Sequence, residues 1–211
     1  MLWFVGLGIS GVNGIGSDAV KILKNADVVF LELFTSPISK TEITKIRKLV
    51  KGNLKTAPRW FVEDGKTILK EAKKKNAVLL SYGDPYIATT HIELRTRAIM
   101  EKIKTKTIHA SSAITSLIGE CGLHYYKIGR SVTMMKDHQS ASSVYYTIYE
   151  NLIAGNHSLI ILEYNNDAKF FLNPKNALSN LLLMEGEQKR NVIDESSFAI
   201  VASRIGTTTQ K

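Results

Sequence analysis

Short apolar runs alternate with segments of helical period through the first half of the chain. Residues 2–7, 28–31 and 77–80 are nearly continuous apolar stretches, the pattern of strands covered on both faces, and residues 107–109 continue the series. Between them, residues 18–24, 41–50, 64–74 and 91–103 read as helices. The second carries Ile43, Ile46 and Leu49 at helical spacing, and the third Ile68, Leu69 and Ala72 on one face. The fourth carries Ile92, Leu94, Ile99 and Ile103, while Ser17 stands as an N-cap before the first. Strands and helices in alternation predict an α/β fold around a mainly parallel sheet.

The second half has a different texture. It reads as helices at 112–119, 140–154 and 176–184, with strands at 132–135, 158–162 and 198–204. A boundary falls near residues 109–112, where the small residues Ala110-Ser111-Ser112-Ala113 begin. The expected layout is an N-terminal α/β domain over 1–110 and a C-terminal α/β domain over 111–211.

Composition narrows the class. A hydrophobic content of 44% supports a packed core rather than disorder. The single cysteine, Cys121, excludes an internal disulfide and a Cys-x-x-Cys metal pair, and reads as a small buried hydrophobe. Lysine and arginine number 28 against 19 acidic residues, a net charge of +9 that could steer the chain toward an acidic protein, a nucleic acid or a membrane surface. The basic run Lys73-Lys74-Lys75 ends a predicted helix and complements its dipole. No aromatic residues interleave it, so direct nucleic-acid binding is not expected. No basic leader precedes the first strand, and no apolar run approaches the ~20 residues of a membrane span. The expectation is a cytoplasmic protein without membrane contact.

Three glycine- or hydroxyl-rich segments leave predicted strands. Gly6-Leu7-Gly8-Ile9-Ser10-Gly11 matches the dinucleotide pattern G-x-G-x-x-G, with Asp27 and Glu32 roughly 20 residues on. A dinucleotide fingerprint opens a helix at its glycines, whereas Val12-Asn13-Gly14-Ile15-Gly16 intervenes here and leaves no helix N-terminus for a pyrophosphate. Gly83-Asp84-Pro85 makes a tight turn that places the Asp84 carboxylate at the carboxyl edge of the sheet, where open α/β sheets bind ligands. Thr89 and Thr90 then offer hydroxyls and a helix cap. By spacing alone this segment is either a ligand turn or a capped connection. His109-Ala110-Ser111-Ser112-Ala113 leaves the next strand and is either a cleft lining or a plain turn. The five histidines are scattered without metal-site spacing, so no metal is expected. Neither a nucleophile elbow nor a phosphate loop occurs.

Together these segments resemble a known family. A first strand ending in Gly6-Leu7-Gly8, the Gly83-Asp84-Pro85 turn and the Ala88-Thr89-Thr90-His91 continuation are similar to the tetrapyrrole-methylase fold. The Ala88-Thr89-Thr90-His91 continuation and Glu32-Leu33-Phe34-Thr35-Ser36 point within it to the diphthine synthase family, to which Ile108-His109 and Gly122-Leu123-His124-x-Tyr126-x-x-Gly129 are also similar. The resemblance implies two α/β domains with a cofactor cleft between them, in a homodimer. It implies S-adenosyl-L-methionine as methyl donor, leaving S-adenosyl-L-homocysteine. The acceptor it implies is the 3-amino-3-carboxypropyl-histidine of translation elongation factor 2, whose amine is methylated to diphthine in diphthamide biosynthesis. Carried over by motif, cofactor contacts fall on Ile9, Asp84, Ile87, Ser112, Ala113, Leu162 and Ile205. No catalytic acid or base is implied: the donor is already activated, and no histidine–carboxylate constellation is apparent. Two departures from the family pattern are Ser111, where a proline is common, and a C-terminal domain expected to be shortened after Ile205-Gly206. The competing readings are a tetrapyrrole-fold methylase acting on a corrinoid, a porphyrinogen or ribosomal RNA, an NAD-dependent dehydrogenase, and a binding protein without activity.

Overall fold

In the computed structural model, which describes residues 1–211, the apolar runs become β1 (Leu2–Gly6), β2 (Val28–Glu32) and β4 (Ala77–Ser81). With β3 (Asn53–Ala57) and β5 (Thr105–Ile108) they form a five-stranded parallel sheet in the order β3-β2-β4-β1-β5. Alternate side chains leave the interior strands on opposite faces. Leu2, Phe4, Val28, Phe30, Ala77 and Leu79 pack with α3 (Arg59–Asp64), α4 (Lys66–Lys74) and α5 (His91–Met100). Val5, Val29, Leu31, Val78 and Leu80 pack with α1 (Ser17–Asn25) and α2 (Lys40–Leu49). Each fully buried large side chain stabilises by roughly 1.5–3 kcal/mol, so the strands are nearly all apolar because both faces are covered.

The register sets Gly6 beside Ser81, Glu32 beside Ala57 and Val5 beside Ile108, so all five strands end at one edge. Chain from β1 passes through α1 on one face, and chain from β4 through α5 on the other. Because β1 and β4 are neighbours, the loops that follow them part toward opposite faces. That is a topological switch point, the place where open α/β sheets hold ligands.

Several sequence expectations need correction. Residues 64–74 are not one helix, since Gly65 at φ 62° ends α3 and starts α4. β3 is an edge strand with mostly exposed polar side chains, so no apolar pattern announced it; its ladder to β2 makes it a strand. Gly16, not Ser17, is the N-cap of α1, and Ser17 is its first residue. Residues 198–204 form no strand, because no neighbour offers a ladder, and Phe198 is 89% exposed.

The first compact unit comprises Met1–Ser116 together with Arg204–Gln210, and the second Leu117–Ser203 with Lys211. In the second unit, β6 (Val132–Met134) and β7 (Ile160–Leu162) pair in parallel, and β8 (Tyr164–Asn165) pairs antiparallel with β9 (Phe170–Phe171). They pack with α7 (His138–Ile153) and α8 (Pro174–Gln188) around Met134, Val144, Tyr145, Leu181 and Met184. The boundary in sequence falls within α6 (Ala113–Glu120), and the half-buried Cys121 lies just beyond the end of that helix. Asp137 caps α7 by accepting the Ser140 amide at 2.8 Å. Asn173 caps α8, with Pro174 at the position where a missing amide hydrogen is harmless. No helix is long and apolar enough to cross a membrane.

Candidate functional site

At the switch point, backbone approaches backbone. A Cβ on Gly6 would lie 2.5 Å from the Gly83 carbonyl oxygen and 2.8 Å from Ala110 Cβ, so only glycine fits. One step further, Gly8 and Gly83 exchange amide-to-carbonyl hydrogen bonds of 3.2 and 3.0 Å. Both have left-handed φ, 75° and 70°, which glycine adopts without steric cost. The Tyr82 hydroxyl donates to the Ile9 carbonyl. The loops after β1 and β4 are therefore fastened together, and the turn after β5 closes on them: the open Cβ direction of Gly83 meets Ser111 O and Ser112 Cα at 3.9 Å.

The Asp84 carboxylate is built into this wall. Its Oδ1 accepts the Tyr86 amide at 2.9 Å, holding the Gly-Asp-Pro turn. Its Oδ2 accepts the Ala110 amide at 3.2 Å and His109 Nδ1 at 2.8 Å, tying that turn to the end of β5. The Asp84 side chain is only 6% exposed, whereas the His109 side chain is 68% exposed. The structure thus contains a histidine–carboxylate pair that spacing along the chain did not reveal, because the two residues lie 25 apart and meet only across neighbouring loops.

Glu32 and His91 are both fully buried. Glu32 accepts the Phe34 and Thr35 amides at 3.0 and 3.1 Å and the Thr35 hydroxyl, which shapes the loop after β2. His91, at the start of α5, donates from Nδ1 to the Pro85 carbonyl at 2.9 Å, and its ring meets the edge of Phe34 at 5.9 Å. Burial pushes the His91 imidazole below its usual range, against the opposing pull of Glu32 and the Pro85 carbonyl. The Glu32–Ser36 and Thr89–His91 segments, distant in sequence, are neighbours in the fold. Thr89 rather than Thr90 supplies the hydroxyl at the start of α5: it donates to the Pro85 carbonyl and weakly accepts the His91 amide at 3.4 Å.

The remaining sequence-derived positions distribute as follows. Ile9 is 8% exposed, and a Cβ on Gly206 would press to 2.4 Å from Ile9 Cγ1. Ser10 Oγ donates to the Gly206 carbonyl at 2.7 Å, which sets the buried Ile205 and its neighbour against the loop after β1. The same loop is held from the other side by Glu42, which accepts the Val12 amide at 3.0 Å and pairs with Lys45 at 2.8 Å. Ser112 is buried, and its hydroxyl accepts the Ile114 amide at 3.2 Å to start α6, with Ala113 half-buried beside it. Ile87 is half-buried in the turn after Asp84. Six of the seven positions belong to the first unit. Leu162 ends β7 in the second unit, beside Met134.

The chemistry of this edge is that of backbone groups, small side chains and hydroxyls. No group of three or more histidine, cysteine or carboxylate side chains is placed to hold a metal. A short 3-10 turn (Gly11–Gly14) separates the glycines from α1, so Ser17 rather than Gly11 opens the helix and a pyrophosphate has no helix N-terminus beside the glycines.

The model of the tetrapyrrole (corrin/porphyrin) methylases matches residues 1–211. The chain is 31% identical over 209 residues to a diphthine synthase of Methanothermobacter thermautotrophicus, covering 98% of this chain and 79% of that one. It is 32% identical over 216 residues to that of Methanocaldococcus jannaschii, covering 100% and 84%. Among solved structures it resembles a putative diphthine synthase from Entamoeba histolytica, with TM-score 0.85, 28% identity, and 100% and 82% of the two chains covered. A second diphthine synthase structure matches with TM-score 0.77 and 28% identity over 89% and 73%. The chain therefore belongs to the tetrapyrrole methylase family and, within it, to the diphthine synthases.

Proposed function

We propose that this protein transfers methyl groups from S-adenosylmethionine to the amine of the 3-amino-3-carboxypropyl-histidine of translation elongation factor 2, giving diphthine. The observation that carries the reading is the match to diphthine synthases along essentially the whole chain. The switch-point edge fits such a donor. Gly6, Gly8 and Gly83 keep Cβ atoms out of the space between the loops. Ile87, in the turn after Asp84, and Ala113, next to Ser112 in sequence, add half-buried apolar surface.

When bound, the donor supplies a methyl group already activated by a positive sulfur. In this reading Ile9, Ile87, Ser112, Ala113 and Ile205 hold it. Asp84 fixes the wall rather than offering a bare charge, since three protein donors already occupy its carboxylate. The protein's task is to hold an amine in line with the carbon–sulfur bond, and positioning of this kind supplies several kcal/mol of the barrier reduction. The same reading takes the chain as a cytoplasmic homodimer that grips its protein substrate without direct nucleic-acid contact.

The test is incubation with labelled S-adenosylmethionine and elongation factor 2 bearing the unmethylated intermediate. Label on the modified histidine is expected. Label appearing instead on a corrinoid, a porphyrinogen or ribosomal RNA would defeat the substrate assignment. Thermal stabilisation by S-adenosylhomocysteine but not by NAD is expected in parallel.

A further inference from the structure

The exposed imidazole at the carboxyl edge has the geometry of a proton acceptor. Asp84 Oδ2 accepts from His109 Nδ1 at 2.8 Å, and a carboxylate can only accept, so the hydrogen sits on Nδ1 and the Nε2 lone pair is left bare. The carboxylate is 6% exposed and the imidazole 68%, so the anion is anchored in protein while Nε2 meets solvent. A buried carboxylate behind an imidazole fixes its tautomer and stabilises the imidazolium that forms when Nε2 takes a proton. Tyr86 supports the ring from the side at 5.9 Å, with its hydroxyl bonded to Thr107 Oγ1 at 2.9 Å. The Arg95 guanidinium lies over the Tyr86 ring at 5.5 Å. Asp84 and Tyr86 are the titratable groups in contact with the His109 ring, and Arg95 in turn lies against Tyr86.

We propose that His109 is the base that removes the amine proton before each methyl transfer, with Asp84 as its positioning residue. The proposal rests on the methyl transfer to an amine proposed above. An alkylammonium has no lone pair and cannot attack. His109 Nε2 takes one of its protons, and the amine lone pair then forms the nitrogen–carbon bond as the carbon–sulfur bond breaks and its electron pair stays on sulfur. The product is again an ammonium. The imidazolium, being exposed, returns its proton to water before the next cycle. The dimethylammonium left by a second transfer must likewise give up its proton before a third methyl group can be accepted, and the quaternary product then has no proton left to lose.

The experiment is methyl transfer to the elongation factor 2 intermediate, followed across pH, for the full-length wild type, His109→Asn and Asp84→Asn. The asparagine at 109 places an amide N–H near the Nδ1 position and keeps a donor for Asp84, but it has no basic nitrogen. S-adenosylhomocysteine affinity, read by calorimetry, is expected to be unchanged in His109→Asn. Its turnover is expected to fall by about 10²–10⁴-fold near neutral pH, the usual contribution of a positioned base. The deficit should shrink as rising pH frees the amine without help. Asp84→Asn should lower kcat more than it raises KM, because the ring loses the carboxylate that fixes its Nδ1–H tautomer. His109→Asn with wild-type turnover and an unchanged profile would overturn the assignment, as would a loss explained entirely by weaker cofactor affinity. A wild type that labels no elongation factor 2 would instead defeat the function on which the assignment rests.

Discussion

His91 shows what a single buried side chain contributes. Its Nδ1–H is committed to the Pro85 carbonyl, and its Nε2 is buried with no partner. A second proton would place an imidazolium N–H where nothing accepts it, which agrees with the imidazole being held below its usual range by burial. In the unfolded chain a histidine takes its proton near pH 6.5. Below that pH the unfolded state binds a proton that folded His91 resists, so stability falls as pH drops. Above it neither state is protonated, and His91 adds no pH dependence. The stability of the wild type is therefore expected to decline between pH 7 and 5 by up to about 1.4 kcal/mol per pH unit from this group. His91→Gln should show a flatter slope in urea unfolding over that range. Equal slopes would mean that His91 is protonated within the fold. None of this was legible in the sequence, where His91 appeared only as part of a motif. Burial and the orphaned nitrogen are products of tertiary structure.

Among the elements, legibility followed burial. β1, β2 and β4 were readable because both faces are covered and nearly every residue is apolar. β3 was not, because an edge strand needs only its ladder, and the apolar stretch near residue 200 misled because strand-forming residues without a partner make no strand. The Gly129 position was readable as a motif but not as a mechanism. A Cβ there would lie 2.2 Å from Asn151 Oδ1. Asn151, buried on α7, accepts the Arg130 amide at 2.9 Å and donates to the Arg130 carbonyl and to Ser158 Oγ, both at 2.9 Å. One side chain thus joins the approach to β6, α7 and the approach to β7. Asn151→Ala removes these three part-buried hydrogen bonds, at roughly 1 kcal/mol each, and is expected to cost about 2–3 kcal/mol. Denaturant unfolding checks this, and a change near zero would show that water replaces the amide.

At the scale of the whole chain, the loop after β1 depends on a segment near the other end. Ser10 reaches the Gly206 carbonyl across a separation of 196 residues, and Gly206 sits at φ 80° with no room for a Cβ beside Ile9. No local pattern encodes such a contact, so Ile9 and Ile205 could be linked before the structure only through family resemblance. The contact has a consequence for the proposed cofactor site. Gly206→Ala forces both a strained backbone and a clash of 2.4 Å with Ile9, so the segment Arg204–Gln210 must move away from the loop it supports. If that loop forms one wall of the site, affinity for S-adenosylhomocysteine should fall about tenfold, equivalent to about 1.4 kcal/mol. Gly186→Ala is the control: its Cβ meets nothing within 4 Å on α8, and alanine favours a helix over glycine, so affinity should hold and stability should rise slightly. Calorimetry on the two variants separates the readings. Equal affinities would show that the Gly206 contact anchors the chain without shaping the site, whereas a loss confined to Gly206→Ala would place residues 9–10 and 205–206 together at the wall of the cofactor site.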